Sequence, residues 1–121
     1  MESVMTHKAP AAAGPYSQAI VSGNFVFVSG QLGVFADGTL AEGIAAQTEN
    51  AIKNLSEILI AAGSSAEKVV KTTCFLADIK DFAAFNEVYA KYFTTKPVRS
   101  LIEAAALPKG SLVEIEAIAE R

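Results

Sequence analysis

Pro97-Val98-Arg99-Ser100-Leu101-Ile102-Glu103, then Leu107-Pro108-Lys109-Gly110, then Leu112-Val113-Glu114-Ile115-Glu116: the reading of this last third decides how the rest of the chain is assembled. Branched and apolar residues on either side of a Pro/Gly connection predict two β-strands. Each strand carries charge inside an apolar run, Arg99 on the first and Glu114 on the second. Desolvating a guanidinium or carboxylate in such a setting is costly unless the group is paired or faces a pocket. Alternation places Arg99, Leu101 and Glu103 on one side of their strand, and Leu112, Glu114, Glu116 and Ile118 on one side of the next. The plainer reading is a structural Arg–Glu pair, or charges on a solvated face, and spacing alone favours it. The functional reading has Arg99 hold a small carboxylate bidentately while Glu114 orients or deprotonates a water beside it.

Working back toward the N-terminus, Phe82, Phe85, Tyr89 and Tyr92/Phe93 recur at helical spacing, which predicts a helix capped by Asp78 or Asp81 and ended before Pro97. Its aromatic stripe reads as core, with Asn86 at the margin. Val69–Ala77 is a strand too apolar for a sheet edge, with Cys74 in its middle as a structural thiol. Ser64-Ser65-Ala66-Glu67 has the form of a capping box for one short turn. From Glu42 to Ala62, apolar residues from Ile44 to Leu59 recur at three and four, Gln47, Glu49, Asn50, Lys53, Asn54 and Glu57 mostly fill the other face, and Gly63 supplies the stop. Before that helix, Ser17–Val21 and Phe25–Val28 read as strands around Ser22-Gly23-Asn24. Ser29-Gly30-Gln31 closes the second, and Asp37-Gly38 marks a turn. Gly14-Pro15 makes a stiff turn that presents Tyr16.

The order is β-β-helix-β-helix-β-β, with an optional extra strand at the N-terminus. Two helices cover one face of such an apolar sheet, which leaves one side of Phe25–Val28 bare. A homo-oligomer packing sheet to sheet is the natural remedy.

At 121 residues the chain predicts one domain, 1–121, and 51% apolar content supplies a core. A net charge of −3, without a Lys/Arg cluster, argues against nucleic acid as a partner. No apolar run approaches the ~20 residues of a membrane span. The single Cys excludes an intrachain disulfide and, with a single His, excludes a Cys/His zinc site, so no metal is expected. His7 reads as a surface residue. Met1–Lys8 lacks the layout of a signal peptide, and a reducing, cytoplasmic setting is the expectation.

Ala9-Pro10-Ala11-Ala12, Gly14-Pro15-Tyr16-Ser17-Gln18, Ser29-Gly30-Gln31, Val69-Val70-Lys71-Thr72-Thr73, Asp81-Phe82, Asn86-Glu87-Val88-Tyr89, Arg99-Ser100, Leu107-Pro108-Lys109-Gly110 and the run Val113–Ala119 together resemble the RidA (YjgF) family of reactive-intermediate deaminases, in order from about residue 8 to 119. The resemblance implies an α+β, chorismate-mutase-like fold with a mixed six-stranded sheet, two helices on one face, and a homotrimer with sites in the clefts between subunits. It also implies that the last strand inserts within the sheet and forms no hairpin with the Arg99 strand. The implied activity is hydrolysis of 2-imino acids, formed from 2-aminoacrylate or 2-aminocrotonate released by pyridoxal-phosphate dehydratases, to 2-keto acids and ammonia, with no cofactor. Carried over by position, Arg99 clamps the substrate carboxylate and Glu114 positions the water, while Tyr16, Ser29, Gly30 and Asn86 line the cleft. Many members carry Cys two residues after the arginine, whereas this chain has Leu101, so a thiol-dependent role at that spot is not expected. The alternatives are a non-catalytic 2-keto acid binder or regulator, and a translation inhibitor or endoribonuclease-like protein, the latter disfavoured by the acidic balance.

Overall fold

The C-terminal strand does not fold back on the strand before it. In the computed structural model, which describes residues 1–121, β6 (Val113–Glu120) lies between β3 (Phe25–Leu32) and β4 (Val69–Leu76), and β5 (Val98–Glu103) stands at the sheet edge beyond β4. With β1 (Glu2–Val4) and β2 (Ala19–Ser22), the order is β1-β2-β3-β6-β4-β5. Only β4 and β5 run parallel. The mixed six-stranded sheet and the inserted last strand agree with the resemblance, and β1 is the extra N-terminal strand.

Two helices, α1 (Gly43–Ala61) and α2 (Phe82–Tyr92), cross one face. Ile52, Leu55, Ile58 and Leu59 of α1 and Phe85 and Tyr89 of α2, with Phe93 just beyond it, meet Val26, Val28, Cys74, Leu76, Ile115, Ala117 and Ala119 of the sheet in one buried cluster. Each large side chain there contributes roughly 1.5–3 kcal/mol of burial. Gly63 ends α1 as expected: at φ +84 it turns the chain so that the Ser64 amide donates to Leu59 O at 2.8 Å. The other sheet face has no helix over it. Phe25 (43% exposed), Phe27 (45%), Val98 (67%) and Ile102 (54%) stand open on it.

Four local expectations are corrected. β3 does not close at Val28 but runs to Leu32, through a bulge between Val28 and Gln31 that sets Val28 opposite Ala117 and Gln31 opposite Ile115. The extra residue resets the alternation, so Val28 and Gln31 both point into the helix side. The segment Ser64–Glu67 is not a capping box. Ser65 makes no side-chain cap to the turn Ala66–Lys68, and the Ser64 hydroxyl donates to Glu120 O instead. Asp81 makes no side-chain cap to α2. Asp78 accepts from the Lys80 amide at 2.9 Å and caps the 3₁₀ turn Ile79–Asp81 that leads into the helix. The polar face of α1 is not all solvated either, for Gln47 and Asn54 are buried. Asn54 Nδ2 donates to Leu32 O and Val34 O, Asn50 Nδ2 to Val34 O, and Gln47 ties Ala41 O to the Leu112 amide. These amides fasten the end of β3 and the start of β6 to α1.

Candidate functional site

Arg99 and Glu114 do not meet within one chain. Arg99 pairs in register with Thr72, whose side chain is buried on the helix side. Glu114 pairs with Phe75 and points to the helix-free side, since its neighbours Val113 and Ile115 are in the core. One strand separates β5 from β6, so the two charges are roughly 10 Å apart laterally and on opposite faces. The structural ion pair that spacing favoured is therefore absent.

On the helix side, Arg99 Nη1 donates to Asn86 Oδ1 at 2.8 Å. The guanidinium carbon lies 4.8 Å from the centre of the Tyr89 ring, 5.7 Å from that of Phe82 and 5.9 Å from that of Phe85. No carboxylate of the chain lies within ion-pair distance of it. A partly buried guanidinium without an acidic neighbour keeps most of its five donors for something else. The ring faces offset part of its charge, by about 0.5–2 kcal/mol. Tyr89 is itself fixed, because its hydroxyl shares a buried 2.7 Å hydrogen bond with that of Thr72, and burial pushes its phenol above the usual tyrosine range. Asn86, Tyr89, Lys96, Pro97 and Arg99 line an open pocket of about 560 Å³. Cys74, in register with Leu101, is buried, and burial raises its thiol to about 11, which leaves it an inert core group.

On the helix-free side, Tyr16, Gly30 and Glu114 share a second pocket of about 160 Å³ with Pro10–Ala13, Gln18, Gln31, Leu32, Val34, Pro108 and Lys109. The bulge carries Gly30 across the Glu114 carboxylate. A Cβ at position 30 would stand 2.3 Å from Glu114 Oε2, so only glycine leaves the carboxylate where it is. Burial, and next the charge of Glu116, push the Glu114 carboxyl above the usual glutamate range. Tyr16 is held by the Gly14–Pro15 turn: its amide donates to Gly14 O at 2.8 Å and its hydroxyl accepts from the Ala13 amide at 3.1 Å. Ser29 stands just outside this pocket, in a groove with Tyr16, Phe27 and Glu116, and its hydroxyl donates to Ser17 O at 2.6 Å. No three His, Cys, Asp or Glu side chains gather as metal ligands would.

The six residues thus fall into two half-sites, Arg99 with Asn86 and Glu114 with Gly30, Tyr16 and Ser29 alongside. Two contributors were not singled out in the sequence. Gln18 is buried and clamps the pocket wall through Thr6 N, Thr6 O and Pro10 O. Lys109, at φ 60, holds the opposite lip in the left-handed region. A polar residue next to a strand signals nothing by itself, and a positive φ at lysine leaves no mark in the sequence.

The family model for endoribonuclease L-PSP matches residues 6–121. The chain is 51% identical over 121 residues to the chloroplastic Reactive Intermediate Deaminase A of Arabidopsis thaliana, covering 98% of this chain and 65% of that protein, so it spans less than two-thirds of that relative's length. It is 49% identical over 119 residues to the human 2-iminobutanoate/2-iminopropanoate deaminase, covering 96% of this chain and 87% of the human one. The crystal structure of RidA from an Antarctic Psychrobacter superposes with a TM-score of 0.97 at 45% identity, over 100% of both chains. A match that takes in both half-sites and every strand but the first leaves one assignment: the chain belongs to the endoribonuclease L-PSP family, alongside the RidA deaminases.

Proposed function

We propose that this protein is a 2-iminobutanoate/2-iminopropanoate deaminase that works without metal or cofactor, in a cleft built where two subunits of a homotrimer meet. The observation that carries the reading is Arg99: held by Asn86, backed by aromatic rings and without an acidic partner, it has guanidinium donors free to clamp an anion. Its free donors match a carboxylate, at roughly 1.5–3 kcal/mol for each charge-assisted bond. The names of the Arabidopsis and human relatives support the same chemistry.

In this mechanism Arg99 holds the substrate carboxylate and so places the adjacent iminium carbon, already electrophilic, in the cleft. Glu114 accepts a proton as its water adds to that carbon. Glu114 then returns that proton to the nitrogen of the tetrahedral adduct, the C–N bond breaks so that ammonia leaves, and the adduct's hydroxyl proton passes to Glu114 and on to solvent as the carbonyl of the keto acid forms. A carboxylate lifted above its ordinary range is a stronger base and so suits this step. Bringing Glu114 to Arg99 requires a second subunit, and the bare apolar sheet face is the surface by which one would dock. A cytoplasmic setting accompanies the reading, on the strength of the single buried thiol. No helix is long and apolar enough to cross a membrane, and the chloroplastic relative shows that location varies among these proteins.

The test couples the protein to a dehydratase that releases 2-aminoacrylate and follows the decay of the intermediate. Arg99→Ala should lower the acceleration about 10²-fold. An unchanged acceleration would end this reading, and tight pyruvate binding without any turnover would make the cleft a keto-acid sensor instead.

A further inference from the structure

Phe82, Phe85, Asn86 and Tyr89 were read as a core stripe and its margin, yet in the fold all four converge on one cation. The Arg99 guanidinium carbon lies 4.8–5.9 Å from three ring centres while Asn86 accepts from one of its nitrogens. We infer that Phe82, Phe85 and Tyr89 form an aromatic cradle that positions Arg99 for its carboxylate, with Tyr89 as the principal positioning residue. The inference rests on the proposed role of Arg99 as the anion clamp.

Arg99 needs such support because of where it stands. It lies on the edge strand β5, with a neighbouring strand on one side only. A free arginine side chain samples many rotamers, and a clamp that must be ordered at each binding event binds more weakly than a preformed one. Asn86 fixes one nitrogen and leaves rotation about that bond. The rings restrict that rotation, since the cation is drawn to their faces, and they accept no hydrogen bond that would occupy the remaining donors. A carboxylate in the same place would restrain Arg99 equally well but would compete with the substrate.

The cradle is itself anchored from below. Thr72, in register with Arg99 on the adjacent strand, bonds the Tyr89 hydroxyl at 2.7 Å, and the Cys74 thiol donates to the Thr72 oxygen at 3.8 Å. Tyr89 is 8% exposed, so its ring has little freedom to tilt. Phe82, at 41%, closes the outer side.

Two readouts test the inference: pyruvate affinity by calorimetry, and the Arg99 Nε–Hε resonance, which is easily assigned because Arg121 is the only other arginine. Ring currents should separate the Arg99 signal from that of Arg121. Tyr89→Leu should weaken pyruvate binding about tenfold and move the Arg99 signal toward the position of a free arginine. Tyr89→Phe, which keeps the ring, should restore both to within about threefold of the parent affinity. Phe82→Leu, a half-exposed position, should shift both readouts in the same sense and carries the test should Tyr89→Leu not fold. Arg99→Ala separates the two claims. If it leaves pyruvate affinity intact, the clamp reading fails. If it abolishes binding while the ring variants bind as the parent does, the cradle fails alone. Weaker binding with an unmoved Arg99 resonance would also overturn it, since the rings would then be acting as packing only.

Discussion

Glu114 owes its setting to two neighbours, Gly30 and Glu116. Gly30 has no side chain, which lets the carboxylate settle against the bulge, and Glu116, two residues on along the same strand face, adds a like charge. Burial is the larger cause of the raised Glu114 carboxyl and Glu116 the smaller, so the second can be removed without touching the first. The sign follows directly. A base must be ionised to take a proton from water, so turnover should fall as pH drops through a Glu114 value lying above the ordinary glutamate range. Glu116→Gln should move that acidic limb to lower pH, read from kcat/KM against pH in the coupled assay. The same shift acts on folding. A carboxyl raised in the folded state destabilises it as pH rises from the unfolded value through the folded one, and Glu116→Gln should relieve part of that loss. A limb that stays in place would mean that Glu114 is not the titrating base.

At the scale of elements, the joint between β3 and α1 holds the Glu114 pocket in shape. Gly33 lies so close to the helix that a Cβ would stand 2.5 Å from both the Cα and the carbonyl oxygen of Gln47, and helix backbone cannot move aside as a side chain can. Gly33→Ala should therefore destabilise the fold by roughly 2–3 kcal/mol through overpacking, seen as a lower urea midpoint with unchanged slope at equal protein concentration. A midpoint within a few tenths of a molar of the parent would show that the joint yields. This joint also marks the limit of what could be read in the chain. Apolar periodicity placed both helices and the main strands, because burial on one face imposes the period. The amides of Gln47, Asn50 and Asn54 share the polar spacing of a solvated face, so their role as fasteners stayed hidden until the loop after β3 was seen beneath them. The bulge at Ser29–Gly30 was hidden for a related reason: it breaks the alternation, and a broken alternation reads as the end of a strand. Arg99 and Glu114 were legible as costly charges in apolar strands, but the faces they occupy depend on β6 inserting beside β3, which no local pattern encodes.

At the scale of the whole molecule, that insertion explains why the two halves of the proposed site lie apart in a single chain. Arg99 faces the helix side from the edge strand, Glu114 faces the bare side two strands in, and no side-chain motion carries either through the sheet. The bare side is where an apolar row runs, from Ile20 beside Phe27 to Ile118 opposite it on β6, and burying such a row against a neighbour removes a large apolar surface from water. If a neighbour docked there brings its own edge strand to the first subunit's pocket, the clamp of one subunit meets the water-handling carboxylate of the next. Chains carrying Arg99→Ala and chains carrying Glu114→Ala should each keep only a small residual activity alone, about 10²-fold below the parent for Arg99→Ala. Unfolded together in equal amounts and refolded, they should regain activity, because about a quarter of the sites in randomly mixed rings pair an intact Arg99 with an intact Glu114 from different subunits. Mixing the folded proteins without exchange should regain none. Were both residues drawn from the same subunit, no mixed ring could contain a complete site, and co-refolding would leave the activity at the level of the separate variants.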